Sequence, residues 1–108
     1  MTFVTSSIVA IVLVADLSLA IGGVEADELR GRIVLEQHCS RCHAIGADGR
    51  SQHPSAPPFR ILGNSYDMDK FAEVLQAGVL AIDPDMPSIS FSREDAEAAA
   101  AYLRSIQR

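Results

Sequence analysis

Residues Cys39, Ser40, Arg41, Cys42 and His43 set two thiols and an imidazole in one short stretch of chain. Thiols three positions apart can both bond to one small group. The imidazole that follows offers a ring nitrogen to a metal. The spacing is C-x-x-C-H, the attachment signal for c-type haem. In that chemistry each thiol adds to one vinyl group of the haem. The histidine is then held beneath the iron as an axial ligand. The motif predicts one covalently bound haem c on Cys39 and Cys42, with His43 on the iron.

Other uses of the cysteine pair fit less well. A structural zinc site usually takes four ligands. Only His38, His43 and His53 could join the two cysteines, and no second C-x-x-C exists. A thioredoxin-like redox pair expects a βαβ pattern nearby, which the chain does not show. A structural disulfide over so short a loop constrains the unfolded chain only modestly.

The porphyrin supplies four iron ligands and His43 a fifth, so the sixth decides function. Filled by the protein, the iron passes electrons; open, it binds a small molecule. The candidates are Met68, Met86, His38 and His53. Met86 is the strongest. It lies in Asp83-Pro84-Asp85-Met86-Pro87, where two prolines restrict the backbone and keep the segment out of a helix. Met68 falls in the first turn of a helix and reads as core or surface. His38 precedes the motif and cannot easily reach the far side of the iron. His53, in a loop, is the runner-up.

Three helical segments must position these groups. The first runs from about Asp27 to His38, with acidic residues in its first turn. Leu29, Ile33 and Gln37 form one stripe, with Val34 and Leu35 beside it. Gly31 sits mid-helix at a cost of about 1 kcal/mol relative to alanine, which predicts a close approach by another backbone or ring. The second segment spans Asp67 to Ala77, with Asp67 as N-cap, Phe71, Val74 and Leu75 buried, and Gly78 as a left-handed stop. The third spans Arg93 to Ile106. Ser92 and Asp95 form a capping box, and Ala96, Ala99, Ala100, Leu103 and Ile106 recur at helical spacing. Ala98 to Ala101 leave a thin face suited to close packing. Ala44 to Ser65 reads as loop, with the turn formers Gly46, Asp48-Gly49, Pro54, Pro57-Pro58 and Gly63-Asn64. A loop this long is expected to wrap something. No stretch alternates as a strand does, so the expected class is all-α with long loops.

The 108 residues suffice for one small domain. Ile8 to Ala15 is apolar throughout, Leu17 to Ile21 nearly so, and Val24-Glu25-Ala26 is small-x-small. These features predict a secretory signal over residues 1–26, cleaved after Ala26, with Ser18-Leu19-Ala20 as a second site. The domain is then 27–108. The n-region lacks Lys and Arg, and Asp16 interrupts the apolar core, so an uncleaved anchor is the rival. Ile8 to Ile21 falls short of the ~20 residues that span a bilayer, and no stable membrane span is expected after cleavage. A domain of this size builds a limited core, which a covalent haem would staple. The formal net charge is −5. Cleavage would remove two acidic residues, Asp16 and Glu25, and no basic one. Lys70 is the only lysine, and no basic patch argues for nucleic acid. Charge steering favours a partner with a neutral or basic docking face.

Several residues combine into a wider pattern. Gly31, Leu35 and Cys39 recur at intervals of four, Pro57-Pro58-Phe59 follows the motif, Met86-Pro87 lies before the third helix, and Tyr102-Leu103 lies on it. In these features the chain, from about Gly31 to Gln107, resembles small bacterial class I (mono-haem) cytochromes c, with Leu35 where an aromatic is more common. The resemblance implies three main helices and long loops around one haem, the C-terminal helix crossing the first at Gly31. It implies that the Pro57 carbonyl meets the free nitrogen of His43, that Phe59 packs on the haem edge, and that Met86 is the distal ligand. Arg60, Asn64 and Tyr66 become candidates for the haem propionates.

The implied function is periplasmic electron transfer between redox partner proteins, with His43/Met86 ligation. Two alternatives stand beside it: the haem c subunit of a larger oxidoreductase, and a small-ligand binder or sensor with an open sixth position. Catalysis by the chain alone is not expected, because Met86 would fill the position a substrate needs.

Overall fold

The computed structural model describes residue 23, residues 25–79 and residues 83–108. The expected signal segment lies almost wholly outside the described residues. Helix α1 covers residues 25–39, α2 is Phe71–Ala77 and α3 is Arg93–Ile106. Two short 3-10 helices, Phe59–Asn64 and Met68–Lys70, lie before α2. No strand occurs among the described residues, which matches the all-α expectation.

Helices α1 and α3 meet at Gly31. A Cβ on residue 31 would overlap the Ala98 carbonyl and lie 2.9 Å from the Ala99 nitrogen. The glycine therefore serves interhelical contact, and the small face of α3 accepts it. This contact also decides which side of α1 is buried. Gly31, Val34 and Leu35 face inward, whereas Leu29 is 59% and Ile33 46% exposed. The expected Leu29/Ile33/Gln37 stripe is corrected by two positions, to Gly31/Leu35/Cys39, because the close approach at Gly31 outweighs the larger side chains. Leu35 then joins Phe59, Leu62, Phe71, Leu75, Ala96, Ala99, Tyr102 and Leu103 in one core. Met68 packs against it from the edge.

Helix α3 begins where Ser92 Oγ accepts the Asp95 N–H at 3.2 Å. The Asp95 carboxylate turns instead to Arg30 on α1, 2.9 Å away, so the box is half made and the other half becomes an interhelical ion pair. The second helix is shorter than expected. Asp67 caps the 3-10 turn Met68–Lys70 by accepting the Asp69 N–H, and α2 starts only at Phe71. Lys70, at φ −105° and ψ 0°, breaks the helical path between them. Gly78 ends α2 at φ +99°, a backbone region that side chains rarely adopt.

The stretch 44–65 is not all loop. Phe59 and Leu62, three positions apart, are both buried and anchor the 3-10 helix Phe59–Asn64. Gln107 clamps this helix to the end of α3. Its Oε1 accepts the Gly63 N–H at 2.6 Å, and its Nε2 donates to the carbonyls of Phe59 and Leu103 at 2.8 and 2.9 Å. At the other side, the buried Tyr102 hydroxyl donates to the Ile45 carbonyl at 2.9 Å. Burial raises the pKa of that hydroxyl and keeps it protonated as a donor.

A Gly31→Ala variant must separate α1 from α3 and is expected to cost about 3 kcal/mol in urea unfolding. Arg30→Ala, which removes only the exposed ion pair beside it, is expected to cost under about 1 kcal/mol. Similar losses in the two variants would contradict this account of the contact.

Candidate functional site

The C-x-x-C-H motif starts at the last residue of α1. The Cys39 carbonyl accepts from the Cys42 N–H at 3.2 Å and the His43 N–H at 3.0 Å, so the turn that continues from the helix end keeps all three reactive side chains close together. The chain beyond is tied back at each step. Ser51 Oγ accepts the Ala44 N–H, Phe59 N–H reaches the Ala44 carbonyl, and His53 N–H reaches the Cys42 carbonyl, at 3.0, 3.0 and 3.1 Å. The long segment after the motif is thus folded over it by its own polar groups.

His43 Nδ1 lies 2.8 Å from the Pro57 carbonyl oxygen. A carbonyl can only accept, so Nδ1 carries the hydrogen and donates it. In the neutral ring Nε2 is then left with a lone pair, the state a metal ligand requires. The Phe59 ring lies beside the imidazole, with centroids 4.7 Å apart. Pro57 fixes the rotation of the ring and Phe59 supports its side. Phe59 is buried in the core cluster.

Cys39 and Cys42 are free, half-buried thiols. Burial pushes Cys39 up to about 11, with the neighbouring Cys42 adding to the shift. A thiol so shifted is protonated near neutral pH. Zinc finds no support. His53, Asp83 and Asp85 are the one group of three potential metal ligands among the described residues, and it contains neither cysteine.

Both cysteines and His43 open into a cavity of roughly 340 Å³, within the ~300–1,000 Å³ of small-molecule and cofactor sites. Ala56, Pro87 and Ile89 contribute apolar wall, and Met86 lines the same space. Of the described methionines, Met86 is at the cavity and Met68 is packed on the core. The donors present are two thiols, an imidazole with a free lone pair, and a thioether. This set fits a haem attached at two points and ligated by nitrogen and sulfur.

The remaining candidates are placed differently. His38 lines the cavity from the end of α1, its ring edge-on to Phe91 at 5.4 Å. His53 also lines it, but both its nitrogens are engaged, Nδ1 with Ser55 N–H and Nε2 with Asp85, each at 3.1 Å. Arg60, Asn64 and Tyr66 do not line the cavity. The Arg60 guanidinium donates to the Gly49 carbonyl at 2.7 Å, and Tyr66 packs on Phe71. The link between His53 and Asp85 was not foreseen from sequence. Asp83-Pro84-Asp85 signals a turn, and His53-Pro54 another, but nothing local pairs them.

An all-α domain with this motif at the end of its first helix belongs to the class of cytochrome c domains. A family model described as cytochrome c oxidase, cbb3-type, subunit III matches residues 26–103, and the chain belongs to that family. The fold is the all-α class I cytochrome c fold. Membership makes the chain a haem-bearing electron-transfer domain that works with redox partners. No curated protein and no solved structure gives a significant match. No helix of the described residues is long and apolar enough to cross a membrane.

Because Phe59 both fills the core and supports the His43 ring, Phe59→Ala is expected to cost about 3–5 kcal/mol in chemical unfolding. Phe59→Leu, which retains most of the volume, is expected to cost under half as much. Equal losses would show that the filled volume is not what stabilises this position.

Proposed function

We propose that the protein is a periplasmic electron carrier with one haem, held covalently by Cys39 and Cys42 and ligated by His43 and Met86. The observation that carries this reading is the shared cavity. Cys39, Cys42, His43 and Met86 all line it, and the Pro57 hydrogen bond leaves His43 Nε2 free to bind a metal.

When bound, the haem supplies one-electron chemistry at its iron. The chain's residues set the conditions for it. Pro57 holds the Nδ1–H of His43, which fixes the ring and increases its donor strength. Met86 offers a neutral thioether, which favours the reduced state over a second nitrogen ligand. The apolar wall of Ala56, Pro87 and Ile89 penalises the extra charge of the oxidised state. With His43 held by Pro57 and Met86 flanked by two prolines, the chain's own ligand residues would rearrange little during one-electron chemistry. Residues 1–26 act in this reading as an export signal cleaved after Ala26, which delivers the chain to the compartment where haem c is attached.

The matched family favours one further reading. Its name is that of a subunit of an oxidase, so this chain would pass electrons within a larger complex rather than diffuse between partners. Copurification of the native protein with a catalytic chain separates that role from the free carrier.

Met86→Ala is expected to abolish the thioether-to-iron absorption band. It is also expected to lower the reduction potential by on the order of 0.1–0.3 V, part of the roughly 0.8 V that axial ligands command. An unchanged spectrum would sink the Met86 assignment. The purified protein is expected to show the mass increment of one haem and no alkylatable thiol after denaturation. Haem that extracts into acidified solvent would refute covalent attachment.

A further inference from the structure

Residues 83–87 carry Met86, and among the described residues one hydrogen bond ties them to another segment: His53 Nε2 to Asp85 Oδ2, at 3.1 Å. The two partners are 32 positions apart in sequence. The direction of this bond is set by the other side of the ring. His53 Nδ1 lies 3.1 Å from the Ser55 backbone nitrogen. That N–H can only donate, so Nδ1 is unprotonated and Nε2 carries the hydrogen. His53 therefore donates to Asp85. It has no lone pair at Nε2 for a metal, so the group His53, Asp83 and Asp85 is a hydrogen-bonded unit rather than an ion site.

Each end of the bond is anchored. The His53 N–H is bound to the Cys42 carbonyl, and its own carbonyl accepts the Ala56 N–H, both at 3.1 Å. The histidine thus moves with the thioether-forming motif. Asp85 N–H donates to Asp83 Oδ1 at 2.9 Å, and Met86 N–H donates to the Asp83 carbonyl at 3.2 Å. With Pro84 and Pro87 limiting the backbone on both sides, Asp85 and Met86 move together. A continuous path of bonds runs from Cys42 through His53 and Asp85 to Met86.

We propose that His53 is a positioning residue, clasping Asp85 so that Met86 is held over the cavity beside His43. The proposal rests on the reading of Met86 as an iron ligand. The clasp links the motif that supplies one ligand to the loop that supplies the other. Its strength is modest, because the His53 side chain is 27% and that of Asp85 73% exposed to solvent. An exposed pair of this kind changes an equilibrium by about two- to five-fold.

Carbon monoxide binding to the reduced holoprotein measures how often Met86 leaves the iron. His53→Ala and Asp85→Ala are each expected to speed it about two- to five-fold, and the double variant to be no faster than the quicker single one. Asp85→Asn keeps an acceptor and His53→Gln keeps a donor near Nε2, so both are expected to bind at close to the wild-type rate. Wild-type rates in both alanine variants would overturn the clasp, as would acceleration in the Asn and Gln variants equal to that in the alanines. Should His53→Ala fail to fold, the largely exposed Asp85→Ala carries the test. The thioether band of the wild type separates the two levels. If it is present and the alanine variants are unaltered, only the clasp fails. If it is absent, the ligand assignment fails and the clasp falls with it.

Discussion

The missing side chain at residue 31 sets how near α1 and α3 lie, and the rest of the domain is built from that distance. With the two backbones in contact at Gly31 and Ala98, Leu35 one turn later reaches the core, where Tyr102 and Leu103 meet it. Cys39, a further turn on, comes to the edge of the same core. The Tyr102 hydroxyl then secures Ile45, just past the motif. The end of α1 and the turn that follows it, which together carry both thiols and the imidazole, are thereby held against the core.

What surrounds that helix end is mainly irregular chain, held by polar contacts instead of by a regular ladder. Each hydrogen bond adds only about 1 kcal/mol net. Several of them converge on one short stretch, from Cys42 to Ala44, and on the His43 ring. No buried side-chain nitrogen or oxygen among the described residues lacks a partner. This arrangement suits a protein whose proposed work is to move an electron with little movement of atoms. The imidazole is fixed from behind, the methionine loop is tied at its neck through Phe91 N–H to the Leu75 carbonyl, and the cavity lies between polar supports.

Local chemistry was legible in the sequence; long-range pairing was less so. The C-x-x-C-H spacing, the Ser92 cap, the apolar stripe of α3 and the need for close contact at Gly31 all follow from residues near one another. The inward face of α1 does not, because Leu29 and Ile33 are more apolar than Gly31, and only the position of α3 reveals which side is covered. Asp67 looked like the cap of α2, yet one residue in a bridging conformation, Lys70, makes it the cap of a separate turn. Prolines at 54, 57 and 58 hid a 3-10 helix whose only signal was Phe59 and Leu62 three positions apart. The resemblance to small cytochromes c implied the His43–Pro57 contact, and the two atoms lie 2.8 Å apart. No family pattern or periodicity indicated the contact between His53 and Asp85.

The proposed electron carrier depends on Met86 binding the iron from the cavity it shares with His43. Proton NMR of the reduced, diamagnetic holoprotein tests it without any substitution. A methionine methyl held over a porphyrin lies in the shielding region of the ring current. One methionine methyl signal is expected far upfield of its usual position, assigned to Met86 through contacts with Pro87. Methyl signals of both Met68 and Met86 at ordinary positions would contradict it.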